Sequence, residues 1–506
     1  MRVSLALVLL AGCSSEPEAT TADNDAAVDG AVDSIVMDTT AAADTASDSV
    51  VDDTFSSDAS DAPAVSTCLE LMDGTGATPT SGTDKVAWAK TYTPNGWITG
   101  GAASGAQVYV TGLQEQATPK LDTLDLVPKS TVGRTGFIAK LASDGTPAWA
   151  RGIAGTTATG APRGLLALVG SDVAYAFGSD SAYTVHDKSG AAGTIAFGVL
   201  RSDGSTRSFT TFPIATGGSV RGLAADAAGG VHLIASFGKS TDIGGKTLDC
   251  DFVLVTLDAD AKVKSSRCLD VLKGSLFSID GFAVDAAGNA YVSAYPRAEV
   301  DVGDGKKTVM VGMGGSILFK IDPADKTVWS QVWFGAYARG LAVTADGTIY
   351  THGDVPWPKD VTIANTLLKK CDVGSARAIT KLDTSGKRLW TKLLTHTTLD
   401  DIVLADDGVW FRTQPMGPGE LAKGVAAPTD LAIGKVSSAG ALKLVQTFRN
   451  EADPTRTPVG FILVGNTGPL VAVGQLFADV KLGTTTLKPK GSGPAPMSDL
   501  AFAIGP

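Results

Sequence analysis

Histidine is scarce in this 506-residue chain, with four in all, and cysteine nearly so, with five. His186, His232, His352 and His396 stand far apart, and no HExxH pair or GxSxG elbow accompanies them. The sequence grounds for a metalloprotease or a serine hydrolase are therefore missing, and no catalytic residue is assigned. No CxxC pair occurs, which argues against zinc, and no metal site is expected. A phosphate loop and a dinucleotide fingerprint are also lacking, so no cofactor is expected. Lys and Arg are absent from residues 3–84, where sixteen acidic groups fall; with Arg2, residues 1–84 carry −15. The whole chain carries −11, which leaves about +4 for residues 85–506. The acidic balance thus belongs to the N-terminal stretch, and so small a positive charge over the remainder argues against nucleic acid as a partner. Periodicity of the helical kind is almost absent.

What is present begins with Met1–Cys13, MRVSLALVLLAGC: one Arg, then an apolar run too short to span a bilayer but suited to a cleaved export signal. Leu10-Ala11-Gly12-Cys13 resembles the bacterial lipobox. That resemblance implies cleavage before Cys13, lipidation of its thiol and acylation of the new amino terminus, enough chains for stable anchoring in a membrane. Ser14 and Ser15 rather than Asp follow the cysteine, which points to the outer membrane. An ordinary secretory signal with an incidental cysteine is the alternative. Residues 13–66 are rich in Ala, Asp, Thr and Ser with Phe55 as the one aromatic, a composition that cannot offset the entropy of ordering. They are expected to form a disordered tether with an end-to-end distance of about 40 Å, followed by a linker over 67–84. Of the other cysteines, Cys250 and Cys268 flank two strand-like runs and are expected to pair across the turn between them. Cys68 and Cys371 are left as a second pair by elimination.

From residue 85 onward the chain is a repeat of roughly 60 residues. Each unit reads as four short strands, A to D. Strand A is apolar and led by Gly, as in Gly222–Ala225, Gly281–Val284 and Gly340–Val343. A tight Asp/Asn/Gly turn, for which left-handed backbone is cheap, joins it to strand B. Strand C, as in Phe252–Leu257 or Ala378–Leu382, turns tightly into strand D, and four D strands carry Trp at one offset: Trp88, Trp149, Trp329 and Trp390. A–B hairpins begin near residues 97, 162, 220, 279, 338, 399 and 458. The last unit stops after a C strand, Asp499–Ile504, and Val86–Tyr92 reads as the missing D strand. Four-stranded units that close into a ring protect their strand edges. The expected fold is all-β, a seven-bladed β-propeller over 85–506 closed by an N-terminal D strand joining the C-terminal blade.

Three strings carry a family resemblance: Lys381–Trp390 (KLDTSGKRLW), Gly281–Ala294 (GFAVDAAGNAYVSA) and Val300–Gly305 (VDVGDG). The pattern is similar to seven-bladed β-propeller repeats (SBBP-like) of exported bacterial lipoproteins, over about residues 85–506. The resemblance implies architecture and envelope location and leaves function open, because that repeat family is functionally diverse.

The B–C connections are long and share one face with the D–A connections, whereas the N-terminal strand enters from the opposite face. Two readings of the long loops stand: binding loops on a rigid scaffold, or decoration folded over the blades. The residue before the leading Gly of strand A is Thr99, Arg163, Arg221, Asp280, Arg339, Asp400 and Val459. Arg163, Arg221, Asp280, Arg339 and Asp400 therefore form a candidate ring at the channel mouth, either holding an acidic or sugar ligand or locking blades together. The four D-strand tryptophans read as inter-blade packing. Trp357, between prolines in a long loop, is a candidate stacking residue. Asp301, Asp304 and Gly305 read as turn chemistry rather than a calcium loop. The expected function is a monomeric, lipid-anchored binding or scaffold module contacting an unknown protein or glycan through its B–C loops. A propeller-fold polysaccharide lyase or hydrolase and an envelope-assembly accessory lipoprotein are the alternatives.

Overall fold

Seven four-stranded antiparallel units stand side by side, each ordered A, B, C, D from the inside out, and the seven A strands neighbour one another all the way round. Blade 1 comprises Gly96–Ser104, Gln107–Gln114, Thr135–Leu141 and Pro147–Gly155, and blade 2 comprises Leu165–Val169, Asp172–Ser179, Thr194–Leu200 and Thr206–Pro213. Blade 3 is Ser219–Ala225, Val231–Ser236, Phe252–Leu257 and Val263–Cys268; blade 4 is Leu276–Val284, Ala290–Pro296, Gly315–Ile321 and Thr327–Phe334. Blade 5 is Leu341–Val343, Ile349–Val355, Ala376–Leu382 and Arg388–Thr395; blade 6 is Thr397–Ala405, Gly408–Pro415, Leu431–Val436 and Leu442–Phe448. Blade 7 takes Val459–Val464, Leu470–Leu476 and Ser498–Ile504 from the C-terminus and its D strand, Val86–Pro94, from the N-terminus. The chain is thus a closed seven-bladed β-propeller, sealed where Trp88 lies opposite Ala503 and Thr91 opposite Leu500.

This computed structural model describes residues 70–71, 86–94, 96–115, 118–130, 134–155, 165–215, 218–238, 240–270, 272, 276–297, 299–305, 314–355, 360–368, 376–416, 420–422, 425–426, 430–448, 459–465, 470–482, 485–490 and 498–504. The signal segment, the tether, Cys13, Cys68, Cys371, Arg163 and Trp357 lie outside the described residues. No described residue is helical.

The core lies between blades rather than within them. One apolar cluster joins Ile195 and Phe197 of blade 2 to Leu233 and Val255 of blade 3, and another joins Val471 and Ala501 of blade 7 to Val110 and Phe137 of blade 1. Strands B and C are covered on both faces, which is why they read as unbroken apolar runs such as Phe137-Ile138-Ala139, wholly buried.

A second device couples the outer strands. Trp149 donates its indole N–H to Ser202 O (2.9 Å), Trp329 to Thr384 O (3.3 Å) and Trp390 to Ser438 O (3.2 Å), each acceptor lying in the C–D turn of the next blade. The left-handed glycine of that turn lies against the same ring: Gly145 on Trp88, Gly204 on Trp149, Gly386 on Trp329 and Gly440 on Trp390. In the C–D turns of blades 3 and 4 the left-handed residue is instead Ala261 or Asp325, and the preceding blades lack the tryptophan. Replacing Trp149 by Phe keeps the ring but removes the N–H. We expect a loss of about 1 kcal/mol in urea unfolding; an unchanged midpoint would show that only ring packing matters.

The long B–C connections are themselves built structure. Six contain a small hairpin: Lys120–Leu121 with Leu124–Asp125, Tyr183–Val185 with Lys188–Gly190, Thr241–Ile243 with Lys246–Leu248, Val361–Ile363 with Thr366–Leu368, Glu420–Ala422 with Val425–Ala426, and Val480–Leu482 with Thr485–Leu487. Their apolar residues, among them Leu121, Val185, Ile243, Ile363 and Leu482, are buried. Two of them add edge-on to the outer strand of the preceding blade, Thr184 facing Ala154 and Thr362 facing Phe334. These parts of the loops are therefore folded over the blades, and they cover strand edges that would otherwise be open. Glu70–Leu71, within the expected linker, pairs in parallel with the outer strand of blade 5, Glu70 beside Lys392. Cys250 and Cys268 are joined by a disulfide in blade 3, with Cα atoms 5.9 Å apart.

Candidate functional site

The beginnings of the A strands and the ends of the B strands share the B–C face, and there the charges of blades 4 to 6 gather. Arg339 Nη2 lies 2.6 Å from Asp354 Oδ2, and Arg377 Nη1 lies 2.8 Å from Asp354 Oδ1, so two guanidiniums of blade 5 share one carboxylate. Asp400 meets Arg412 of its own blade at 2.9 Å. Asp280 accepts from Ser278 Oγ at 2.6 Å, and Arg221 is exposed with no ion-pair partner among the described residues. Of the candidate ring, Arg339 and Asp400 thus pair within their own blades, strand A to strand B.

The lock between blades 6 and 7 uses two groups that the repeat pattern does not single out. Arg412 donates to the carbonyl of Phe461, and the Leu463 N–H donates to Asp401 Oδ2 at 2.7 Å. Burial raises the Asp401 carboxyl to about 6, against the pull of that N–H and of Arg412. His352 is buried and accepts the Gly340 N–H at Nε2 (3.2 Å). Burial first, then Arg339 and Arg377, bring it down to about 4, so it stays neutral at physiological pH. A side chain at position 340 would overlap this imidazole, which accounts for the leading glycine there.

Beside these charges runs a row of rings. Phe277 is 54% exposed and meets Tyr295 edge-on at 6.0 Å; Tyr295 in turn lies 5.8 Å from Tyr337. The Arg297 guanidinium sits over the Phe277 ring at 4.6 Å, and Tyr337 N–H and Arg339 N–H are held by Asp354 O and His352 O at 2.9 and 2.7 Å. Burial raises the Tyr337 phenol, so it remains a neutral donor. Sequence reading missed this row because its members come from three separate segments, each an ordinary strand-end aromatic. Its signal is the irregularity: Phe277 occupies a position at which the neighbouring A strands carry small or polar residues.

On the opposite side of blade 3, His232 is buried with Nε2 3.1 Å from Asp226 Oδ2 and Nδ1 3.2 Å from Thr256 Oγ1. His232 and Thr256 face each other in the register positions that Tyr109 and Lys140 fill in blade 1 and Tyr291 and Lys320 in blade 4. In the calcium-like segment, Asp301 Oδ1 accepts the Gly303 N–H (2.7 Å) and Asp304 Oδ2 the Ser330 hydroxyl (2.5 Å). Among the described residues no three His, Cys, Asp or Glu side chains are grouped to hold a metal.

No family model matches the chain, and no curated protein matches it. Among solved structures it is similar in fold to the β-propeller domain of the Trilobed protease from Pyrococcus furiosus, at 8% identity over 79% of this chain and 96% of that one, TM-score 0.40. The acylaminoacyl peptidase of Pyrococcus horikoshii is similar at 9% identity over 76% of this chain and 50% of that one, TM-score 0.39. A Synechocystis apocarotenoid oxygenase mutant is similar at 11% identity over 84% and 97%, TM-score 0.36. Likeness at this distance concerns the propeller fold alone and carries nothing about activity.

Proposed function

We propose that the chain is a binding or scaffold module of the bacterial envelope, anchored by lipid at Cys13, spaced from the membrane by residues 13–66, and meeting a protein or glycan with its B–C face. One observation carries the reading: the closing strand starts at Val86 on the C–D side, opposite Ile504, while Phe277, Tyr295 and Arg339 lie on the B–C side. Glu70–Leu71 runs parallel to the outer strand of blade 5, which itself runs from the C–D side to the B–C side, so in this reading the tether that precedes Glu70 approaches from the C–D side. Residues 1–12 act as the signal in this reading and Cys13→Ser should release the protein from the membrane fraction; retention there would remove the lipid anchor. External protease on intact cells should shed a folded ring. Protection until the outer membrane is permeabilised would replace surface display with periplasmic service, the setting of an envelope-assembly accessory protein.

A hydrolase reading has a specific observation behind it, the hydroxyl–imidazole–carboxylate row of Thr256, His232 and Asp226. It ranks second because the same register positions serve packing in other blades, with Lys140 over Tyr109 and Lys320 over Tyr291. Turnover of a p-nitrophenyl ester that disappears in Thr256→Ala would promote it, and absence of turnover would remove it.

A further inference from the structure

The row of rings over blades 4 and 5 has an order that binding in general does not demand. Three aromatic side chains follow one another at 6.0 and 5.8 Å, with Arg297 over Phe277 at one end and Arg339, two residues on from Tyr337 and paired with Asp354, near the other. We infer that this row is a subsite for an acidic oligosaccharide, whose sugar faces stack on Phe277 and its neighbours and whose carboxylates meet Arg297 and Arg339. The inference rests on the reading of the ring as a binding module and names the ligand class of its exposed face.

Each part of the row suits that ligand. The apolar face of a sugar ring packs on an aromatic ring, and Phe277 keeps more than half of its surface in water. Arg339 and Arg377 share the single carboxylate of Asp354, so among the described residues two positive charges meet one negative charge near Tyr337. The Arg339 side chain is 54% exposed although it pairs with Asp354 through Nη2, and an exposed guanidinium fork is the group that takes a carboxylate by two hydrogen bonds. The scaffold is fixed in advance: backbone N–H groups of Tyr337 and Arg339 are tied to strand B of blade 5, and buried His352 accepts the neighbouring Gly340 N–H. Binding then orders few groups that are not already ordered. Asp280, held by Ser278, is the acid nearest along strand A and confines a ligand's negative charges to the two arginine ends.

A protein partner fits less well. A stable protein interface needs about 800 Å² on each side, with a contiguous apolar centre. The large exposed apolar side chains among the described residues are instead scattered: Val127, Phe277, Val328, Leu389, Met416 and Phe477 fall in or beside five different blades. Only Phe277 belongs to an aromatic row.

Calorimetric titration of the full chain with oligogalacturonate, hyaluronan oligomers and the neutral maltohexaose tests the inference. At least one acidic oligomer should bind, with maltohexaose at least about tenfold weaker and binding weakened by salt. Phe277→Ala and Arg339→Gln should each lower affinity about tenfold, the loss of one stacking face or one charge-assisted pair, with unchanged melting temperature. Lys264→Gln, on the C–D side, should bind as the parent does. Failure of both acidic oligomers, equal affinity for maltohexaose, or Phe277→Ala binding as well as the parent overturns the inference, as does capture of an envelope protein that depends on Phe277. The protease experiment on intact cells is independent of these titrations. A ring that is shed but binds no acidic oligomer removes the ligand class and leaves display standing; a ring that binds one but is never exposed does the reverse.

Discussion

A chain beginning at Gly96 is expected to lose its cooperative unfolding transition. The deleted residues include Val86–Pro94, the outer strand of blade 7, whose Tyr92 is 2% exposed and donates to Gly145 O across the seam (2.9 Å). Trp88 lies against Gly145 in the same turn. Aromatic side chains of this kind bury at least about 150 Å² each, which at about 25 cal/mol/Å² is roughly 4 kcal/mol apiece, an upper estimate because denatured chains are already partly compact. Deletion also bares the edge of Ser498–Ile504, a strand buried at all seven positions. Domains of this size are stable by about 5–15 kcal/mol in total, so losing both rings and the ladder consumes most of it. Calorimetry should show a broad, early transition with aggregation through the open edge. A synthetic peptide of residues 86–94 should restore the sharp transition. A truncated chain that melts within a few degrees of the parent would falsify the closure as the source of cooperativity.

The closure was readable because it is a matter of counting. Seven A–B hairpins, seven C strands and a D strand out of place leave one arrangement, and turn chemistry marks each strand end. The tryptophan latches were readable as packing, since their offset repeats; what the repeat also encoded, and counting alone did not extract, is that each tryptophan goes with a glycine in the next blade's turn, Trp149 with Gly204 and Trp390 with Gly440. The loop hairpins were only half legible. Val361-Thr362-Ile363 and Val480-Lys481-Leu482 alternate as strands do, but they are three residues long and find their burial on a neighbouring blade. The candidate ring was legible as positions and not as partners. Arg339 pairs with Asp354 and Asp400 with Arg412, and both partners sit on strand B, where alternation marks which face a residue occupies but not the diagonal it reaches along. The aromatic row depended on three segments meeting in space; a single sequence shows the irregular Phe277 but not which aromatics it meets.

The seam carries a second large effect, of opposite sign. Asp499 is fully buried where blade 7 meets blade 1; Gln114 Nε2 donates to its Oδ2, while Asp499 Oδ1 and Gln114 Oε1 have no hydrogen-bond partner among the described residues. A side chain at Gly96 would overlap both groups, so only glycine lets strand A of blade 1 pass this close. Burial holds the Asp499 carboxyl well above its usual value of 3.8, against the opposing pull of Gln114. The folded state therefore binds this proton more tightly than the unfolded state. The stability that this group contributes is complete below the unfolded value and is lost as pH rises through 3.8 toward the folded one. Asp499→Asn removes the charge and supplies a donor for the unpartnered Gln114 Oε1, so the amides can pair reciprocally. At neutral pH the variant should be more stable than the parent by about 2 kcal/mol, the typical cost of an unsatisfied buried polar group, and the advantage should vanish below about pH 4. His352 and Asp401 titrate in the same window in both proteins, His352 losing stability as pH falls from 6.5 toward 4 and Asp401 losing it as pH rises from 3.8 toward 6. Their contributions cancel in the difference between variant and parent, which urea unfolding from pH 4 to 8 measures directly. An Asp499→Asn chain no more stable than the parent at pH 7, or equally advantaged at every pH, would mean that the buried carboxylate is satisfied by a group other than Gln114.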